Sequence, residues 1–129
     1  MKKKIVGLFV LSIFALTLQA YDKKDRIQDM QAMEASMTQI QKGILYNNNK
    51  IVLQGVENLK QTADKIEITQ KSEMDYSPKF AKKQADSIMK FADEIKENTK
   101  AGHKHSAAAS YTRILNKCIS CHNKIRKWN

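Results

Sequence analysis

Only two cysteines occur in the 129 residues, with one proline and four glycines. Two cysteines exclude a scaffold held by several disulfides. So few turn formers argue against a sheet of short strands joined by tight hairpins. No stretch alternates apolar and polar residues for long enough to describe a half-buried strand. One continuous apolar run exists, residues 5–18, and it contains Ser12 and Thr17. It is shorter than the about 20 apolar residues that a membrane-spanning helix needs.

That run has the setting of an export signal. Three lysines at positions 2–4 precede it, and Gln19-Ala20 lead from it into the charged Tyr21-Asp22-Lys23-Lys24. A basic start, a short apolar centre and a small residue at the cut describe a cleavable secretory leader, although Leu18 stands where a small residue is usual. Residues 1–20 are therefore expected to be a signal peptide and residues 21–129 the mature domain, periplasmic and without stable membrane insertion. The 109 residues that remain suffice for one domain and not for two.

The chain carries 23 Lys and Arg against 13 Asp and Glu, a net charge of +10, of which the leader holds three. For an exported protein, nucleic acid is an unsuitable partner for such a surface. An acidic protein surface suits it, and many of the lysines serve solubility alone.

Apolar spacing reads as four helices. The first covers residues 23–46, with Ile27, Met30, Met33, Met37, Ile40 and Ile44 stepping by three and four, and Asn47-Asn48-Asn49 ends it. The second covers 50–69, with Val52, Val56, Leu59, Ala63 and Ile66 on one stripe. Residues 72–78 connect to a third over 78–99, where Pro78 suits the first turn and Ala81, Ala85, Ile88, Ala92 and Ile95 face inward. Gly102 ends that region. A fourth over 105–127 carries Ala108, Tyr111, Leu115, Cys118 and Ile125. Four helices with short connections predict an all-α, antiparallel up-down-up-down bundle.

Near the end of the fourth helix stands Cys118-Ile119-Ser120-Cys121-His122. This is the attachment pattern of c-type haem: each thiol forms a thioether with a vinyl group of one porphyrin, and the following imidazole binds the iron. A thiol redox pair usually opens a helix in a βαβ setting, and this chain has no strands to supply one. A zinc site needs further Cys or His ligands. His103 and His105 begin the fourth helix, about 25 Å from His122 at 1.5 Å per residue. In an antiparallel bundle the end of the fourth helix lies beside the start of the first, so the group is expected between those two ends. Met30 stands about 10 Å from the start of its helix and His122 about 8 Å from the end of its own. Met30 is thereby expected to face the iron opposite His122, while Met33 and Met37 are core residues.

An exported four-helix bundle with Cys118-x-x-Cys121-His122 near its C-terminus resembles the cytochrome c prime family, the class II cytochromes c. The resemblance extends to Arg26, four residues before the distal position, and to Arg126, four residues after the histidine. It implies one covalently bound haem c, with Met30 marking the low-spin branch in which a methionine binds the iron. Arg26 is then a candidate for a haem propionate. Arg126 can shield the proximal face or complement the dipole of the fourth helix. Many relatives pack an aromatic of the second helix on the haem; here that helix has none, and Phe80 and Phe91 of the third are the candidates.

Two functions follow as expectations. The first is single-electron transfer through iron held by His122 and Met30, low spin in both oxidation states, with a potential raised by the thioether. Its partners are periplasmic redox proteins with acidic docking surfaces, and the bundle can also pair as a homodimer. The second is a five-coordinate haem that binds nitric oxide or carbon monoxide. Enzymatic activity is not expected: a peroxidase needs a polar acid–base group near bound peroxide, and the distal stripe offers Ile27, Met30 and Met33.

Overall fold

A computed structural model describes residues 23–66 and 77–125. The expected signal peptide and most of the 72–78 connection lie outside them. Four helices make up the described chain: α1 (Lys23–Leu45), α2 (Asn49–Asp64), α3 (Pro78–Lys100) and α4 (Lys104–Ile125). Each packs against two neighbours, and the diagonal pairs stand apart. Cross-helix contacts fix the directions. Asn58 of α2 donates to Gln39 of α1 at 3.1 Å, and Gly55 and Gly43 of this pair approach Ile40 and Val52, so α1 and α2 are antiparallel. Ser110 bonds Glu94 at 2.9 Å and Lys124 lies over the Phe80 ring, so α3 and α4 are antiparallel too. The protein is an all-α four-helix bundle.

Local chemistry explains the helix ends. Asn47 takes a left-handed φ of 54°, which asparagine tolerates better than most residues. The amides of Asn47 and Asn48 then reach back to the carbonyls of Ile44 and Gly43, closing α1. The Asn48 side chain next caps α2 by accepting from the Ile51 amide at 3.1 Å. Gly102, with φ 76°, ends α3 in the same way, through bonds from Gly102 to Thr99 and from His103 to Asn98. Ser77 caps α3 and Pro78 opens it, where the missing N–H costs nothing. Helix α2 stops at Asp64, earlier than the expected residue 69: Lys65 and Ile66 bond three residues back, to Thr62 and Ala63. Ile66 therefore lies beyond the helix yet still packs half-buried on the core, and the remaining expected residues fall outside those described.

The core is aliphatic. Ile40, Val56, Leu59, Ile95 and Ile114 are its largest fully buried side chains, each stabilising by about 1.5–3 kcal/mol relative to exposure. Met33, Met37, Val52, Ala63, Ile88, Ala92 and Ala107 complete the cluster. Two expected stripes are corrected. On α4 the buried face is Ala107, Ser110 and Ile114; Ala108 and Tyr111 are half-buried and Leu115 is 44% exposed. On α3, Gln84 is buried where Ala85 was expected, and Ala85 is half-buried. On α4 the true face is turned by about one residue, because the apolar stripe is wide enough to fit either setting and the neighbouring helices choose between them. On α3, Ala81, Ile88, Ala92 and Ile95 are buried as expected and the face is only widened to take in Gln84.

The α1–α2 contact depends on small residues. A Cβ on Gly43 would stand 2.6 Å from Val52 Cγ2 and 2.7 Å from the Val52 amide nitrogen, so backbone as well as side chain would have to move. Gly43→Ala is expected to destabilise the bundle by about 1–3 kcal/mol, despite the better helix propensity of alanine. A lowered urea midpoint at unchanged m-value is the result that checks it.

Candidate functional site

The antiparallel register brings the beginning of α1 to the end of α4. At the opposite end of this pair Lys104 Nζ donates to Asn47 Oδ1. Met30 and Cys121 each lie seventeen residues, about 25 Å along the helix, from that anchor. Met30 and the Cys118–His122 turn therefore stand at one height, and Arg26 is level with Ile125. Helical spacing puts Cys118 and Cys121 on one face. Both are half-buried, while His122 is exposed.

The seam between α1 and α4 is the loosest of the four helix contacts. Its edges carry large apolar side chains that nothing covers: Ile27 at 48% and Met30 at 40% exposure on α1, Leu115 and Ile119 on α4. This corrects the expectation that Ile27 and Met30 belong to the inward stripe with Met33 and Met37. Met33 and Met37 pack into the core cluster, whereas Ile27 and Met30, one to two turns nearer the start of α1, are left uncovered where the seam opens. A shallow concavity of about 590 Å³ lined by Lys23, Lys24, Ile27 and Gln28 adjoins the first turns of α1. It holds none of the motif residues, so the site is the seam itself.

Two buried polar atoms near this end, Arg26 Nε on α1 and Gln84 Oε1 on α3, have no hydrogen-bond partner among the described residues. A buried polar atom left unpaired costs about 1–3 kcal/mol, and each such atom calls for an explanation. The Phe80–Lys124 and Glu94–Ser110 contacts bracket Gln84 and set it level with Ser120, beside the cysteine turn. Sequence reading missed Gln84. The signal was present, since Ala81, Gln84 and Ile88 step by three and four, but a glutamine on an apolar stripe does not announce burial.

Burial pushes both thiols above the ordinary cysteine value. Desolvation is the larger cause at Cys118, with the neighbouring Cys121 adding to it and a backbone hydrogen bond opposing; at Cys121 desolvation acts alone. Tyr111 is raised by burial and by its closeness to Cys118. A nucleophilic or disulfide-exchanging pair needs the reverse, a thiolate favoured by a helix N-terminus or nearby cations. These thiols instead sit near a helix C-terminus, where the dipole disfavours negative charge. Tyr111 is the aromatic beside Cys118. Phe80 and Phe91, the expected packing aromatics, are half-buried at the outer α3–α4 boundary: Lys124 covers Phe80, and Lys90 and Arg113 cover Phe91.

His103 and His105 are exposed at the opposite end of α4, as the sequence implied. Among the described residues no three His, Cys, Asp or Glu side chains converge on a point where a metal ion could be held by them alone. Arg126 lies outside the described residues. No helix among them is long and apolar enough to cross a membrane. No protein-family model, curated protein or solved structure matches this chain.

The raised thiol pKa values set the reactivity of the unmodified polypeptide. Because the neutral thiols are favoured in the folded state, alkylation by iodoacetamide near pH 7.5 is expected to be several-fold slower than in urea, with the difference shrinking as pH rises through the folded pKa. Mass spectrometry of timed samples reads this directly; equal rates with and without urea would contradict the burial.

Proposed function

We propose that this chain is a periplasmic monohaem c-type cytochrome, similar in kind to the class II cytochromes c, that passes single electrons and catalyses no reaction of its own. The observation that carries the reading is the coincidence of Cys118-x-x-Cys121-His122 with the open, apolar-edged seam at one end of the bundle. The residues there suit a flat, mostly apolar group with charged carboxylate edges. Ile27, Met30, Leu115 and Ile119 offer uncovered apolar surface, and Arg26 holds a buried N–H without an acceptor.

In this reading Cys118 and Cys121 each carry one thioether. Haem c supplies an iron that changes between ferric and ferrous. His122 and Met30 would supply its two protein ligands, a ring nitrogen and a thioether sulfur. Arg26 donates to a propionate and is thereby relieved of its unpaired N–H, while Arg126 is a candidate for the proximal side. Two protein ligands fixed on separate helices leave little to reorganise when an electron passes. The helices on which they stand are held by the aliphatic core, below the site. The lysine-rich surface suits acidic periplasmic redox partners, and self-association as a homodimer is open to the same bundle.

Met30 is 40% exposed, and this favours a second reading. A methionine that neighbours do not hold in place leaves room for an open iron, and the chain then binds nitric oxide or carbon monoxide. One measurement separates the two readings. The reduced protein is expected to show a sharp low-spin α band and to retain its haem through acid–acetone extraction, with a mass near one haem above the polypeptide. A broad high-spin spectrum selects the gas-binding reading, and complete loss of colour on extraction overturns both.

Substitutions on α1 locate the sixth ligand. Met30→Ala is expected to turn the iron high spin, admit carbon monoxide and lower the reduction potential, since a thioether favours ferrous iron. Met33→Leu and Met37→Leu, at buried core positions, should leave the spectrum unchanged and cost under about 1.5 kcal/mol. Loss of the low-spin spectrum in Met33→Leu but not in Met30→Ala would move the ligand one turn along α1.

A further inference from the structure

Acidic residues are unevenly distributed along this chain. From Asn98 to the C-terminus there is no aspartate or glutamate, and α4 carries Lys104, Arg113, Lys117 and Lys124 without one acidic side chain. Helix α3 is divided. Up to Lys90 it holds Lys79, Lys82, Lys83 and Lys90 with a single acid, Asp86, and beyond it Asp93, Glu94 and Glu97 stand with Lys96 and Lys100. Those acids are engaged: Asp86 by Lys82, Asp93 by Lys60, Glu97 by Lys100, and Glu94 by Arg113 and Ser110.

Register arranges the remaining cations. Lys83 and Lys90 lie seven residues apart on one face of α3, and Lys117 and Lys124 do so on α4. The α3–α4 contacts put Lys124 level with Phe80, so Lys117 falls level with Ser87. Going along the pair, the cations alternate between helices as Lys124, Lys83, Lys117 and Lys90, each about 5 Å from the next in height. Lys83, Lys90 and Lys124 are exposed and Lys117 is half-buried. None of the four has an acidic partner among the described residues. This ladder runs along the α3 side of the Cys118–His122 turn.

We propose that the outer α3–α4 face is the docking surface for an acidic protein, recognised through the ladder Lys124–Lys83–Lys117–Lys90. The proposal rests on the electron-transfer reading in one respect, that the docked partner is a redox protein brought beside Cys121. Its chemistry separates this partner from other polyanions. Phe80 and Phe91 are the aromatics of the face, and cations lie over both rings, so neither is offered for the base stacking that single-stranded nucleic acids use. The exposed large apolar side chains, Ile27, Met30, Leu45, Tyr46, Leu115 and Ile119, all belong to α1, the turn after it or α4, and none to α3. A bilayer-binding face needs such side chains beside its lysines. A lysine ladder without them suits a wet, salt-sensitive contact with acidic side chains.

The test uses the mature haem-bearing protein, isotopically labelled and reduced, with poly-L-glutamate as probe at low ionic strength. Amide shifts are expected to concentrate on residues 79–91 and 113–124 and to vanish as salt is raised. Lys83→Glu/Lys124→Glu should weaken binding by about tenfold or more, while Lys50→Glu/Lys65→Glu at the two ends of α2, an equal change of net charge, should alter it less than about twofold. Equal weakening by the two double variants, shifts spread over α2, or no binding at all would overturn the proposal. So would tighter binding of duplex DNA or phosphatidylserine vesicles that the same α3–α4 variant abolishes, which would assign the face to nucleic acid or membrane. The visible spectrum of the same sample keeps the two readings apart: ladder-dependent binding in a protein that carries no haem sustains the docking surface and removes the electron-transfer function.

Discussion

The site depends on a constraint set well below it, the antiparallel register that the buried aliphatic core imposes. Ile40, Val56, Leu59, Ile95 and Ile114 lock the four helices against sliding, because a shift by one turn would move every one of these side chains out of its place in a close-packed interior. With the register held, the start of α1 and the end of α4 must stand side by side. The chemistry at that end is thereby assembled from residues about ninety positions apart in the chain, Met30 and the Cys118–His122 turn.

The bundle tightens at one edge and loosens at another for identifiable reasons. Gly43 and Gly55 let α1 and α2 approach until no space remains for a Cβ. Between α1 and α4 the facing side chains are large, and the helices meet least closely. The loosened edge coincides with uncovered Ile27, Met30, Leu115 and Ile119 and with the unpaired Arg26 N–H. Apolar side chains left in water and a buried donor left without an acceptor are costs that folding alone does not remove. In the proposed reading, a prosthetic group with an apolar body and carboxylate edges would offset both costs in the same place.

The electrostatics of the bundle divide along the same axis. Acids of α3 collect toward the end remote from the cysteines and pair there with Lys60, Lys100 and Arg113. On the α3 side of Cys118 and Cys121 the surface carries Lys83, Lys117 and Lys124, while burial favours the neutral form of the thiols themselves. A desolvated pair of thiols near a helix C-terminus is poorly suited to thiolate chemistry. In the proposed reading the pair would instead serve covalent anchoring, beside a lysine-bearing face that suits acidic partners.

Much of this was legible in the sequence. The number of helices, Pro78 and Gly102 as punctuation, the inward stripe of α2 and the cysteine motif all follow from local pattern, because periodicity, capping and turn chemistry act over a few residues. Three matters were decided only by tertiary structure. Leu115 is turned from the core in favour of Ile114, since a wide apolar stripe admits more than one rotation and the neighbouring helices select it, while on α3 Gln84 joins the expected face. Met30 and Ile27 lie at an open edge, although their spacing equals that of the buried Met33 and Met37; spacing gives the face of a helix, and only the neighbour's distance says whether that face is covered. Arg26 and Gln84 acquire unpaired buried atoms for the same reason. Burial belongs to the packing of several helices at once and is not a property of any residue read along the chain.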